Sequence, residues 1–442
     1  MIVRDLKRVF IFLVPTIVLL YLGFSLYHGS FAPTELLEQA LSRPPPSPPD
    51  SSSPKKDGDG DGTYHFAPTP RTHNELSSLA TPSRSYFLIS FGPGQEGAIN
   101  PNIIPHPTLD NTYAIVAQEV ARGGFDFHEI ACYAAFSANN TLLSCTEPPR
   151  NLPIEPTKGG PCEGQYKLLE LNAGPHDARV FWGPDGVYAV YGSNSRFGCF
   201  GQFIQNFAGL MDWTAEMVAP SKMEAFKTGT EIDRPGKRGE IEKNWFVFWD
   251  REGGMYAHYD VLPRSFAKLE GNGSVVGPDL AAVVGEKDEK CLARLMPRVE
   301  GGDGESIHQA TNSLAVTLCR RRDPECVAGR ENTVVFAVFH HKTFRDWHSV
   351  YEPYALAFRQ EAPFEVYGVG RKPLWIRGRG VRGDGVTEMM FVTSMAWKGK
   401  GQRYHGYLDD EMFLGFGIED KGTGGIDVRA EDVLADLLLC ET

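Results

Sequence analysis

From Ser85 onward the sequence is a succession of short runs rich in aromatic and β-branched residues, each bounded by Gly, Pro, Asn or Asp. SYFLISF, TYAIVAQEV, HEIACYAAF, ARVFWG, VYAVYGS, NWFVFWD, GMYAHYDV, NSLAVTLC, TVVFAVFHH, EMMFVTSMAW and YLDDEMFLGFGI all fit that description. Such side chains pack well on a pleated, half-buried surface, and the bounding residues make turns. Within PHDARVFWGPDGVYAVYGSN, for example, Val180–Trp182 and Val187–Tyr191 read as two strands joined by Gly-Pro-Asp-Gly. Long helical periodicities are nearly absent. The exception is Arg429 to Cys440, where Val433, Leu434, Leu437 and Leu438 would share one buried helical face.

The runs recur in hairpin-like bundles about every 60 to 75 residues, and radial repetition of such bundles is how a β-propeller buries its sheets. The expected fold is all-β, a five-bladed β-propeller over residues 84–442; a pair of β-sandwiches is the alternative. A net charge of −12 argues against a nucleic-acid partner, which requires a basic surface.

The N-terminal part is of another kind. Residues 1–8 carry Arg4, Lys7 and Arg8, and Val9–Tyr27 then run without a charge. At about 1.5 Å per residue a helix of that length spans roughly the 30 Å of a bilayer core. Basic residues before the run place the short tail in the cytosol. The expectation is an uncleaved single-pass type II signal anchor in a secretory-pathway membrane, the Golgi in particular, with the rest lumenal. A cleaved signal peptide is the alternative.

Residues 28–83 are rich in Pro, Ser and charge and read as a disordered stem. Asp57, Asp59 and Asp61 within it imitate the start of an EF-hand loop, but Pro68 stands where the bidentate Glu is needed. No metal or cofactor is expected. Asn139 and Asn272 begin N-glycosylation triplets. The eight cysteines (Cys132, Cys145, Cys162, Cys199, Cys291, Cys319, Cys326, Cys440) contain no Cys-x-x-Cys and suit disulfides of undetermined connectivity.

In a propeller the innermost strand of each blade faces the axis, so polar residues at the starts of those strands converge. The clusters are Asn100 and Asn102; His176, Asp177 and Arg179; Lys243, Asn244 and Asp250; His308, Gln309 and Asn312; His340, His341, Lys342, Tyr351, Glu352 and Tyr354; and Glu419 with Asp420. Asp177 and Arg179, two apart on a strand, would face the same side, where they could equally form a structural ion pair. His340 and His341 are adjacent and would face opposite ways, which disfavours joint metal ligation.

The order of these clusters resembles the five-bladed propeller family of β-1,2-mannoside phosphorylases and hydrolases, with the related β-1,2-mannosyltransferases. The matching features are the Asn-Pro pair at Asn100, the Asp-x-Arg of Asp177 and Arg179, Lys243 before an aromatic strand, His340, and the Gly-x-x-Asp ending at Asp420. The second motif reads Asp-Ala-Arg where the family has Asp-Pro-Arg. The resemblance implies an enzyme in which Asp177 is the acid/base. Asn100, Asn102, Arg179, Lys243, His308, Asn312, His340, Glu352 and Asp420 would bind a glycan acceptor and a nucleotide sugar or sugar phosphate. An Asn in place of a first-blade carboxylate argues against two-acid hydrolysis. The leading expectation is an inverting, mannosyltransferase-like enzyme. The alternatives are a β-mannoside phosphorylase or glycoside hydrolase, and an inactive glycan-binding propeller.

Overall fold

A computed structural model of the chain describes residues 71–93, 97–119, 124–160, 162–213, 225–299, 304–345, 348–382 and 386–440. The tail, the apolar run Val9–Tyr27, the EF-hand-like aspartates and most of the stem lie outside these residues. Among the described residues no helix is long and apolar enough to cross a membrane.

The strands form five antiparallel units in chain order. The first comprises Ala98–Pro105, Tyr113–Glu119, Glu129–Phe136 and Leu142–Cys145. The second comprises His176–Trp182, Val187–Asn194, Phe200–Asn206 and Thr230–Glu231. Phe246–Trp249, Met255–Val261, Arg264–Leu269 and Val275–Val276 make the third. In the fourth, Glu305–Gln309 and Leu314–Thr317 both pair with Thr333–Arg345, followed by His348–Arg359 and Val366–Gly370. The fifth has Met390–Trp397, Glu411–Ile418 and Gly422–Arg429, and takes its outer strand, Phe87–Ser90, from the other end of the chain. Phe87–Ser90 also pairs in parallel with Leu142–Cys145 of the first unit.

Side chains bond each unit's inner strand to the next and give a propeller-like ring. Asn102 of the first unit donates to Ala178 O and accepts from Val180 N of the second, both at 2.8 Å. Arg179 reaches Asn244, at the entry to the third, at 3.2 Å. Gln309 of the fourth donates to Asn244 O and Tyr259 O of the third at 3.1 and 2.8 Å. Asn312 clamps Met395 of the fifth, at 3.0 Å to its O and 2.9 Å from its N. Ser394 returns to Pro101 O of the first at 2.7 Å. These polar groups are buried and satisfied, as a close-packed ring requires. The aromatic runs fill the spaces between units: Trp182 stacks on Trp213, and Trp249 meets Phe181, Tyr188 and Tyr404.

Three expectations need correction. The segment from Arg429 to Cys440 is not one helix. It is a single turn, Ala430–Val433, followed by a strand, Leu437–Leu439, because the open edge of Val366–Gly370 offers its leucines a ladder. The longest α-helix among the described residues, Glu286–Leu295, buries Asp288, Cys291 and Leu292. The described end of the stem belongs to the folded unit: Asn74–Leu76 pairs with Leu374–Ile376, Leu76 is buried, and Ser78 donates to Asp427 at 2.5 Å.

All eight cysteines pair, as Cys132–Cys145, Cys162–Cys199, Cys291–Cys440 and Cys319–Cys326. Asn139 and Asn272 both lie exposed in turns. The hydroxyl of Thr141 donates to the Asn139 side-chain oxygen at 2.7 Å, and that of Ser274 to Asn272 at 2.5 Å.

Candidate active site

Inner strands of the first two units begin with the same irregularity. In the first, Asn100 and Pro101 together stand opposite Ala117; in the second, Asp177 and Ala178 stand opposite Tyr191. Asn100 and Asp177 take up left-handed backbone conformations, φ 56° and 52°. Asn244, entering the third unit, does likewise at φ 62°. Asn and Asp tolerate that region better than other side chains with a Cβ, which accounts for those residue types there. Each such bulge re-aims its side chain at the rim of the sheet.

The bulge also undoes the expected alternation. The Arg179 guanidinium turns to the main-chain oxygen of Asp177, to Ala310 O at 2.9 Å and to Asn244 Oδ1, not to the Asp177 carboxylate. That carboxylate instead accepts from the Asn100 side-chain amide at 2.5 Å. Arg179 is a buried strut between three units, and Asp177 remains half-buried at the mouth.

Around Asp177 stand residues from the fourth and fifth units. Burial and then the Asp177 and Glu419 charges push the Asp420 carboxyl above the usual Asp range, while Lys342 acts the other way. Tyr351 is raised by burial, with Asp420 and Asp177 both contributing. Lys342 lies 5.5 Å from the centre of the Tyr351 ring. Burial first, then Lys342 and Lys243, push His308 down to about 4, so it is neutral at physiological pH. Lys243 is exposed, His308 and Lys342 are half-buried, and Ser306 Oγ lies 2.8 Å from His308 Nε2. Charges from four different units therefore reach this mouth: Asp177 acts on Asp420 and Tyr351, and Lys342 and Lys243 act on His308.

Other expected ligands lie elsewhere or are already engaged. Asn102 and Asn312 are fully occupied as the clamps described above and are closed to a substrate. The Glu352 carboxylate pairs with Arg379 at 3.1 Å and His73 at 3.3 Å; despite burial, Arg379 and His73 hold it below the usual range. His340 is wholly buried, accepts from Val392 N at 3.2 Å through Nε2, and lies against Tyr351 and Phe391. Burial keeps it neutral. It supports Tyr351 from behind. His341, on the opposite face, approaches Glu305 at 3.7 Å.

Two residues at the site lay in no expected cluster. Gln118 accepts from Asp177 N at 2.7 Å, and Glu129 accepts from Ala178 N at 2.9 Å. Their one signal in the sequence is a polar residue at the end of an otherwise apolar strand. Past the far ends of the inner strands lies a separate cavity of 520 Å³, lined by Pro184, Asp250, Arg251, Gln360, Arg403 and His405. It holds no member of the Asp177 group.

No family model matches the chain, and no curated protein matches it. Among solved structures it is similar to a glycosyl hydrolase from Bacteroides ovatus, with 11% identity, 84% of this chain and 96% of that chain covered, and a TM-score of 0.41. A GH130-family structure described as a glycoside hydrolase targeting β-1,2 mannosidic linkages in Candida mannan has 13% identity, coverage of 88% and 99%, and a TM-score of 0.41. A GDP-Man-dependent mannosyltransferase from Leishmania mexicana has 10% identity, coverage of 78% and 88%, and a TM-score of 0.37. At such identities no residue here takes a role from them.

Proposed function

We propose that the ring is a five-bladed propeller whose mouth is an inverting glycan-active site, with Asp177 as its acid/base. The observation that carries this reading is a carboxylate pinned by Asn100 in a mouth it shares with Lys342, Asp420 and Tyr351 of other units. Asp177 takes the proton of an acceptor hydroxyl as that oxygen attacks the anomeric carbon. The bond from that carbon to a phosphate or nucleoside diphosphate breaks, and Lys243 and Lys342 receive the departing negative charge. Run backwards, phosphate attacks and Asp177 returns the proton to the glycosidic oxygen. A single displacement inverts the anomeric centre. Asp420 and Asn100 offer hydrogen bonds to sugar hydroxyls.

An uncharged run at Val9–Tyr27 and four disulfides support a type II anchor with the ring in the Golgi lumen, where nucleotide sugars build glycans. The test is a screen of nucleotide sugars and sugar 1-phosphates, side by side, on protein purified with its disulfides intact. Donor consumption that Asp177→Asn abolishes supports the reading. Retained turnover in that variant, or glycan binding with no turnover of any donor, rejects it.

The raised Asp420 carboxyl favours one second reading. A carboxyl held protonated to higher pH, near a second carboxylate, is what hydrolysis of a glycoside requires, with Asp420 as acid and Asp177 as base for water. Sugar release in the absence of phosphate, lost in Asp420→Asn, distinguishes it.

A further inference from the structure

Four side chains of the first unit hold the bend that presents Asp177: Asn100 its carboxylate, Gln118 its N–H, Glu129 the next N–H, and Asn102 the backbone on either side of Arg179. Three of the four are amides. Glu129 alone can ionise, and it is wholly buried. One of its oxygens accepts from Ala178 N, and the other, Oε2, is buried without a hydrogen-bond partner. Arg179, whose charge reaches Glu129, directs Nε and both terminal nitrogens to Ala310, Asp177 O and Asn244, so none of these bonds neutralises Glu129.

An ionised carboxylate with one hydrogen bond and no paired cation is strongly disfavoured in such a place. The charged or titratable residues on the strands packed about it are Glu119, Arg150, His176, Asp177 and Arg179, with Tyr113 at the far end of its strand opposite Ala134. Of these, Asp177 disfavours its ionisation and Arg179 favours it.

We propose that Glu129 is a positioning residue that works as a neutral carboxylic acid, fixing the Asp177–Ala178 bend without adding a second negative charge behind Asp177. Burial pushes its carboxyl up to about 8, which agrees with that state at neutral pH. Ionisation at higher pH sets a like charge beside Asp177 in a buried place, a cost that the Ala178 hydrogen bond offsets only in part. The proposal rests on the reading of Asp177 as the acid/base, and its test has one arm independent of that reading.

In the independent arm, urea unfolding of the full chain and of Glu129→Gln is followed from pH 5 to 9. The folded protein holds this proton above the pH at which the unfolded chain releases it. Stability from this group therefore falls as pH rises from about 4.3 through 8. The wild type shows that decline and Glu129→Gln, a permanently neutral isostere, lacks it. Equal slopes in the two proteins would overturn the proposal by showing Glu129 ionised throughout. In the second arm, turnover is followed against pH. Glu129→Gln stays within about threefold of wild type at pH 6 and moves the alkaline limb up by about one unit, whereas Glu129→Ala loses about tenfold or more at every pH, as expected for a positioning contact. An unmoved alkaline limb would overturn the positioning role. If the slope vanishes as expected but no donor is turned over by any form, the neutral Glu129 is upheld and the assignment of Asp177 falls instead.

Discussion

The Asn100 side-chain amide donates to the Asp177 carboxylate at 2.5 Å, from the first unit of the ring into the second. Both residues occupy left-handed bulges at the same place in their inner strands. Asp177→Asn keeps the bend and removes the proton-transfer group, so turnover falls by about 10²–10⁴. Asn100→Ala loses a hydrogen bond to a charged group, about 1.5–3 kcal/mol, and turnover falls about ten- to a hundredfold. Circular dichroism of both variants matches wild type, and donor-consumption assays read the difference.

Burial first, and then the charges of Lys342 and Lys243, hold His308 neutral. Replacing either by Ala raises KM for a phosphorylated donor more than for a neutral glycan. The penalty shrinks as salt is raised, because salt already screens the exposed Lys243. Steady-state kinetics across an ionic-strength series check this. In both variants His308 takes up a proton at higher pH than in wild type, visible by histidine NMR.

Glu352, Arg379 and His73 tie the segment before the ring to the fourth unit. The Glu352 carboxyl is depressed in the folded protein. Its contribution to stability is therefore present above the unfolded value of about 4.3 and lost as pH falls through the folded value. Arg379, with 2% of its side chain exposed, is the partner whose removal leaves an uncompensated charge. Arg379→Ala costs about 3–5 kcal/mol near pH 7 and less in acid. Urea titrations at two pH values measure it.

Leu76 is 1% exposed and sits where the chain was expected to be unstructured. Leu76→Ala lowers stability by about 2–5 kcal/mol. Protein beginning at Ser83 lacks the strand Asn74–Leu76, leaves its partner Leu374–Ile376 without that ladder, and melts below protein beginning at Tyr64. Thermal unfolding of the two forms decides it.

The unit-by-unit order was legible because each hairpin announces itself as apolar runs between turn residues, but of the polar residues clustered ahead of those runs only some lie near Asp177, and Asp250 lines a separate cavity. What the pattern could not carry was the destination of individual hydrogen bonds. Asn102 and Asn312 look like ligands by type and place, yet they spend their amides on the neighbouring backbone. The bulge at Asp177 breaks the two-residue alternation on which its expected pairing with Arg179 depended. Leu437–Leu439 satisfies both a helical face and a strand, and only the edge it meets decides between them. Glu129 is a single polar letter in an apolar strand, and nothing local marks it as neutral.

Phe87–Ser90 has a bearing on synthesis. Its partner strand, Gly422–Arg429, belongs to the fifth of the five units to leave the ribosome, and Thr423 donates to Ile89 O across 334 residues of chain. The ring can be fastened only once Gly422–Arg429 has emerged. Until then an unclasped early strand and four finished hairpin stacks wait with open edges, the kind of long-range closure that slows folding and invites mispairing. A nascent chain halted before Gly422 should thus remain a chaperone client however well its earlier parts have packed.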